Sequence, residues 1–299
     1  MHEVCELGAN AAREALSERI AEARRQMEPL GSHSVDGIHD MRVASRRLRA
    51  AIKEFRKWLP ENQCKAWTKK IRRITQSLGR PRELDVMLLA IKSRTTENVD
   101  MHEALSFAAC TLERLRDDAD AQCEDALRIV QNGTLSEEAD ALLGAASPRQ
   151  QCFVLRLGKR LARQLDEAAS VYDTWICAPN ADDLHRLRIA CKKLRYACEI
   201  HARHYPGHMP GFIRHLKSLQ DSLGRWNDTR LLLTELRALP KEVLDTAPPA
   251  FGALLESIES EESEHLRECE WMATDFFAPD CREAARHFLN TPVAICCLE

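Results

Sequence analysis

Residues 38–50 read IHDMRVASRRLRA, and residues 184–196 read LHRLRIACKKLRY. The two segments lie 146 positions apart. In each, cationic residues recur three, four and seven positions apart, the spacing that gathers side chains on one face of an α-helix. His39, Arg42, Arg46, Arg49 and Lys53 share one such face, and His185, Arg188, Lys192 and Arg195 share the other. A like-charged pair at this spacing costs about 0.2–0.5 kcal/mol unless an anion lies against it. Solvated helical faces interleave acids, yet Asp40 and Glu54 are the only carboxylates between His39 and Lys57. Two such faces in one chain point to a polyanion.

The likeness extends beyond the stripes. Residues 74–86, ITQSLGRPRELDV, match residues 219–231, LQDSLGRWNDTRL, at an offset of 145. Lys69 then corresponds to Arg214, Arg72 to Lys217, Gly79 to Gly224 and Arg80 to Arg225. The pattern predicts an internal duplication with halves at residues 1–147 and 148–299, an all-α fold in which each half is an antiparallel bundle of four main helices.

Composition agrees with a helical protein. The 299 residues include only 11 Gly and 12 Pro, with 5% aromatics, so strand and turn formers are scarce. The periodicity gives about twelve helices. The first stripe helix starts after Val35-Asp36, and a basic helix from about Asn62 stops at Gly79. In the second half, a helix from Phe212 is expected to stop at Gly224 and another to begin at Asp228. Helix starts near Arg82 and Asp228 would offer free backbone N–H groups to an anion. The long acidic helices, Val99 to Gln131 and Pro249 to Thr274, supply the fourth element of each half.

The net charge is only −3, but it is segregated. From His39 to Arg82 there are 14 Lys/Arg against 3 Asp/Glu, and from Leu184 to Arg225 there are 9 against 2. From Val99 to Gln150 the balance reverses to 11 acids against 4 bases, and from Pro240 to Asp275 to 10 against 2. Such a distribution builds a local positive field on an acidic protein.

Enzyme signatures are lacking. The sequence holds no nucleophile elbow, Walker loop or Rossmann glycine motif. His39-Asp40 invites a metal-phosphohydrolase reading, but adjacent helical residues diverge by about 100° and cannot converge on one ion. His201, His204, His208 and His215 have helical spacing for a transition metal, yet read as an incidental cluster. Paired acids such as Glu259, Glu261 and Glu262 read as a solvated or salt-bridged face. No catalytic residue, metal or cofactor is expected. The twelve cysteines form no CxxC pair, which with the absence of a signal-peptide core or membrane-length apolar run predicts a reduced, cytoplasmic protein. Adjacent Cys296 and Cys297 have no assigned role.

The duplicated HxxR-x3-R/K helices and LGR-containing segments resemble the conserved histidine α-helical domain, CHAD, over essentially the whole chain to about Thr274. The resemblance implies an all-α fold of two four-helix bundles related by pseudo-twofold symmetry around a central basic groove or pore. It also implies binding of long-chain inorganic polyphosphate and association with polyphosphate granules. Carried over by position, the binding surface falls on His39, Arg42, Arg46, Arg49, Lys53, Lys69, Arg72, Arg73 and Arg80. In the second half it falls on His185, Arg188, Lys192, Lys193, Arg195, Arg214, Lys217 and Arg225. Many relatives carry Arg-Asp or Asn-Asp after the LG turn; here the pairs are Arg82-Glu83 and Asn227-Asp228, and Arg230 stands where the first half has Asp85. These departures are expected to affect helix caps or inter-bundle salt bridges. No ExExK strand of a fused triphosphate-tunnel domain is present, which implies a stand-alone binder.

The expected function is therefore non-enzymatic polyphosphate binding, with granules and their proteins as partners and no membrane. The rivals are nucleic-acid binding and, behind it, phosphohydrolase or polyphosphatase activity. Against nucleic acid, Phe55, Trp58 and Trp67 are the only aromatics from His39 to Arg82, and they fall off the stripe. His39 and His185 at the head of the stripes would donate to phosphate more strongly when protonated, so binding should improve below about pH 6.5.

Overall fold

The computed structural model describes residues 6–31, 34–132, 134–148, 153–205 and 207–292. Among them every regular element is helical. The order is α1 (Leu7–Arg25), α2 (Met27–Leu30), α3 (Val35–Phe55), α4 (Glu61–Ser77), α5 (Gly79–Lys92), α6 (Val99–Gln131) and α7 (Thr134–Gly144), then α8 (Phe153–Cys177) and α9 (Ala181–His201). A 3-10 turn (Ala202–His204) leads to α10 (Met209–Arg237), α11 (Lys241–Leu244), α12 (Phe251–Phe276) and α13 (Pro279–Asn290).

Both stripe helices begin at side-chain caps. Ser34 Oγ accepts from the Gly37 N–H at 3.1 Å, and Asn180 Oδ1 accepts from the Asp183 N–H at 2.8 Å. Each cap satisfies one of the amides that a helix start leaves without a partner, worth about 1 kcal/mol. Apolar residues at three- and four-residue spacing then bury one side of each helix. On α3 these are Ile38, Met41, Ala44, Leu48, Ala51, Ile52 and Phe55; on α9 they are Leu184, Leu187, Cys191, Leu194 and Cys198. A buried Leu or Ile contributes about 1.5–3 kcal/mol, so these faces fix the rotation of both helices. The cationic stripes follow as their other sides.

The expected stop at Gly224 does not occur. α10 is one helix through Gly224, Asn227 and Asp228, because Leu216, Leu219, Leu223, Trp226, Leu232, Leu233 and Leu236 keep an unbroken buried register across the glycine. A mid-helix glycine costs only about 1 kcal/mol, which that burial outweighs. At the matching place in the first half the chain does break, at Leu78 with ψ 6°. The difference lies two residues beyond the glycine. Pro81 has no N–H and its ring opposes the carbonyl of Ser77, whereas Trp226 carries both an N–H and a core side chain. Asp228 therefore lies inside a helix and offers no free helix start, and Arg82 is already the fourth residue of α5.

The hydrophobic residues form two clusters, and both draw on residues before and after position 147. The larger joins α1, α3, α4, α7, α8 and α9 to the first part of α10, the end of α12, and α13. The smaller is a four-helix packing of α5, the start of α6, the end of α10 and the start of α12. Here Leu84, Met87 and Ile91 meet Leu232, Leu236, Phe251 and Leu254, and the Phe107 and Phe251 rings meet edge to face at 5.2 Å. Arg80–Glu235 at 2.6 Å and the Arg94–Glu261 ion pair tie the same region from outside. The two α3-like and α9-like segments thus sit in one continuous body, with α3 packed directly on α9. No helix among the described residues is long and apolar enough to cross a membrane.

Candidate anion-binding face

Where α3 meets α9, guanidinium and ammonium groups from both helices come together. Arg42 sits in the field of Arg46, Arg82 and Arg188, with Glu83 opposing them. Arg188 feels Arg46 from α3, opposed by Asp228 and Glu83. Lys192 is surrounded by Arg188 and Arg195 of its own helix, Arg46 of α3 and Asp228 of α10. Farther along α3, Arg49 lies beside Arg72 and Arg46, and Lys53 beside Lys193 and Arg160.

Arg42, Arg49, Arg82, Arg188 and Lys192 are half-buried and their charge is strained, while Lys53 and Arg72 are exposed. Burial first, then the neighbouring arginines, pulls Arg42 down to about 10 and Lys192 down to about 7. Burial lowers Arg188, Arg82, Arg49 and Lys53 as well. Among the described residues, none of Arg42, Arg46, Arg49, Lys53, Arg72, Arg82, Arg188 and Lys192 has a carboxylate within 4.0 Å. Arg42 donates from Nη1 to the Thr75 carbonyl at 3.0 Å, yet its buried Nε has no partner, nor do those of Arg49 and Arg188. A buried donor left without an acceptor costs about 1–3 kcal/mol, more when charged. An anion with several oxygens would satisfy these donors and relieve the repulsion at once.

Other residues expected at the site are held elsewhere. Arg73 forms a two-point pair with Asp125 of α6 at 2.9 and 2.7 Å, and Arg80 does the same with Glu235 at 2.7 and 2.6 Å. Arg225 pairs with Glu268 of α12, and Lys217 with Asp221 at 2.7 Å. Arg195 donates to Gln220 Oε1 at 2.7 Å and pairs with Glu199 at 2.5 Å. Lys69, Lys193 and Arg214 are exposed, without an ion pair among the described residues.

The two histidines differ. His39 is half-buried, and burial followed by Arg82 lowers its affinity for a proton, so it charges at a lower pH than its ordinary value would give. His185 Nδ1 lies 3.1 Å from Asn227 Oδ1. With that nitrogen donating, Nε2 of the neutral ring is an acceptor and cannot donate to phosphate until the ring is protonated.

Two features of this face were missed. Arg82 belongs to the cluster, although its place after Pro81 puts it outside both stripe patterns. Glu83 and Asp228, which align at the 145-residue offset, are the acids facing Arg42 and Arg188. They form neither helix caps nor salt bridges, contrary to expectation. Asp85 pairs with Arg116 of α6 at 2.7 Å, inside the first half, while Arg80–Glu235 and Arg94–Glu261 bridge the halves.

The remaining candidates do not converge. His201 and His204 are buried; His201 Nε2 faces Glu54 Oε2 at 3.5 Å, while His215 pairs with Asp275 at 3.0 Å. Among the described residues no three His, Cys, Asp or Glu side chains come together to hold a metal ion. The described cysteines are all free thiols, and Cys296 and Cys297 lie outside the described residues.

Comparison with known proteins adds three findings. The family model described as CHAD domain matches residues 14–237. A crystal structure of the CHAD domain from the plant Ricinus communis superposes with a TM-score of 0.60 at 22% identity, covering 95% of this chain and 91% of that one. PptA from Streptomyces chartreusis superposes with a TM-score of 0.63 at 16% identity, covering 89% of this chain and 98% of that one. No curated protein sequence matches.

Proposed function

Because the chain belongs to the CHAD domain family, we propose that its two contacting basic helices, α3 and α9, bind long-chain inorganic polyphosphate. The observation that carries this reading is the meeting of half-buried cations from α3 and α9 with no carboxylate partner. Polyphosphate presents a charge on every unit and oxygens on all sides, so it needs no fixed base or sugar contacts. The face offers nothing else: Phe55, Trp58 and Trp67 are buried in the core, as is most of Tyr196, so no aromatic of the stripe segments is free to stack a nucleobase.

In this reading the two halves, 1–147 and 148–299, each contribute one stripe to a basic groove. The protein acts as a binder without catalytic turnover, docking on cytoplasmic polyphosphate granules. The test is calorimetric titration with long-chain polyphosphate at two salt concentrations, with single-stranded RNA alongside. Tight binding that weakens steeply with salt and that RNA does not match is the expected result, since release of condensed counterions dominates polyanion affinity. RNA preferred over polyphosphate, or no binding of either, sinks the reading. Phosphate release above buffer background would revive the hydrolase alternative.

A further inference from the structure

The first stripe does not end in open solvent. Arg160 of α8 donates from Nη1 to the Glu54 carbonyl at 2.8 Å, and from Nη2 to the Lys53 carbonyl at 3.1 Å and to Glu54 Oε1 at 2.9 Å. It thereby satisfies carbonyls of the last turn of α3, which have no amide of their own helix to accept from. That contact fixes α8 against the place where the stripe stops.

α8 carries a cationic row of its own. At about 100° per residue, Arg156, Arg160 and Arg163 fall within an arc of about 60°. The arc points away from Leu157, Leu161, Leu165 and Ala168, which are buried. Arg160 lies in the field of Arg56, Arg163 and Arg156, and Lys53 in that of Lys193 and Arg160. The positive charge therefore continues from the end of α3 and the middle of α9 onto α8, with Glu54 opposing it at Arg160 and Glu54 and Glu167 opposing it at Lys53. Within this group Arg160 is held by Glu54 and Arg163 by Glu167 at 3.4 Å, the latter pair exposed. Among the described residues Lys53, Arg56, Arg156 and Lys193 have no carboxylate within 4.0 Å.

We propose that this cluster is a second segment of the polyanion track, onto which a long polyphosphate chain runs after leaving the α3–α9 face at Lys53 and Lys193. The proposal rests on the polyphosphate reading above. From Arg42 to Lys53 the helix rises about 16 Å, so a chain seated on Arg42 and Arg188 must be long to reach α8. Short oligophosphates cannot bridge that span. The cluster thus lengthens the stretch over which a longer chain gains contacts, and strengthens the preference for long chains beyond what the α3–α9 face supplies.

The experiment uses the full chain carrying Arg56→Ala and Arg156→Ala, the two arginines of the cluster without an acid partner, titrated with long-chain polyphosphate and with tripolyphosphate at the same salt. Long-chain affinity should fall about tenfold and its salt dependence should flatten by the equivalent of two phosphate contacts. Tripolyphosphate affinity should not move. A matching Arg56→Lys, Arg156→Lys variant should keep most of the long-chain affinity, because the charge stays. Unchanged long-chain binding, or equal losses for both ligands, overturns the track while leaving the polyphosphate reading intact. Wild-type protein that binds neither ligand overturns both.

Discussion

Helices α3 and α9 and the helices that follow them, α4 and α10, look alike as strings of positive charge, but their neighbours differ. α4 and α10 lie against the acidic α6 and α12, with α7 beside α4. Lys70 pairs with Glu138, Arg73 with Asp125, and Arg225 with Glu268. α3 and α9 lie against each other, and where they meet Arg42, Arg46, Arg188 and Lys192 face one another without an ion pair, opposed only by the more distant Glu83 and Asp228. A residue count cannot separate the two cases. Availability to a ligand is decided by which helix stands opposite.

The largest effect should come from removing the cations that face cations. Arg42→Ala with Arg188→Ala deletes two half-buried guanidinium groups, each hydrogen bond to a charged group being worth about 1.5–3 kcal/mol. Polyphosphate affinity should drop roughly a hundredfold or more by calorimetry, with helical circular dichroism unchanged. Normal binding by this double variant would place the ligand elsewhere.

Lys192 sharpens the same contrast through pH. Burial, then Arg188 and Arg46, holds its pKa at about 7, so at pH 8 the free protein carries it mostly neutral. A phosphate alongside restores the charged form, and binding takes up a proton. Affinity should therefore decline above pH 7, by up to tenfold per unit. Stability of the free fold moves the opposite way. Between pH 7 and about 10.5 the unfolded chain binds more protons at this lysine than the folded one, so stability rises with pH in that window. Lys192→Met should flatten both slopes. Titration at pH 8 in buffers of differing ionisation heat counts the protons, and zero uptake removes Lys192 from the ligand's reach.

The glycines of the repeated SLGR segments show how much of this was legible. Helical class and both stripes follow from periodicity, because burial of one apolar face leaves the cations only one place to go. The end of the second basic helix did not follow. Gly79 and Gly224 read alike, and only the next-but-one residue, Pro81 or Trp226, decides whether the helix breaks. Nor could the sequence show that an added Cβ at Gly79 would lie 3.2 Å from Arg42 Nη1, while at Gly224 it would meet nothing within 4 Å. Pairing across helices, such as Arg73 with Asp125, depends on packing that no local pattern encodes. Gly79→Ala should push the Arg42 guanidinium and weaken polyphosphate binding severalfold. Gly224→Ala should leave affinity alone and raise stability by about 0.5–1 kcal/mol, read as a higher Tm.

The smallest effects belong to the neutralised cations. Arg73 and Arg225 make exposed ion pairs, and such pairs contribute about 0–1 kcal/mol to stability. Each already has an anion at hand, so a phosphate gains little by displacing it. Arg73→Ala with Arg225→Ala should change affinity by no more than about threefold, within the range of a screened long-range charge. The reciprocal change tells more. Asp125→Asn with Glu268→Gln frees both guanidinium groups and adds two positive charges to the surface around the track. If paired acids are what silence α4 and α10, low-salt affinity should rise modestly and the gain should vanish at high salt. If instead these helices lie outside the ligand's path, freeing their arginines will leave the binding curve where it was, and the acids of α6 and α12 serve packing alone.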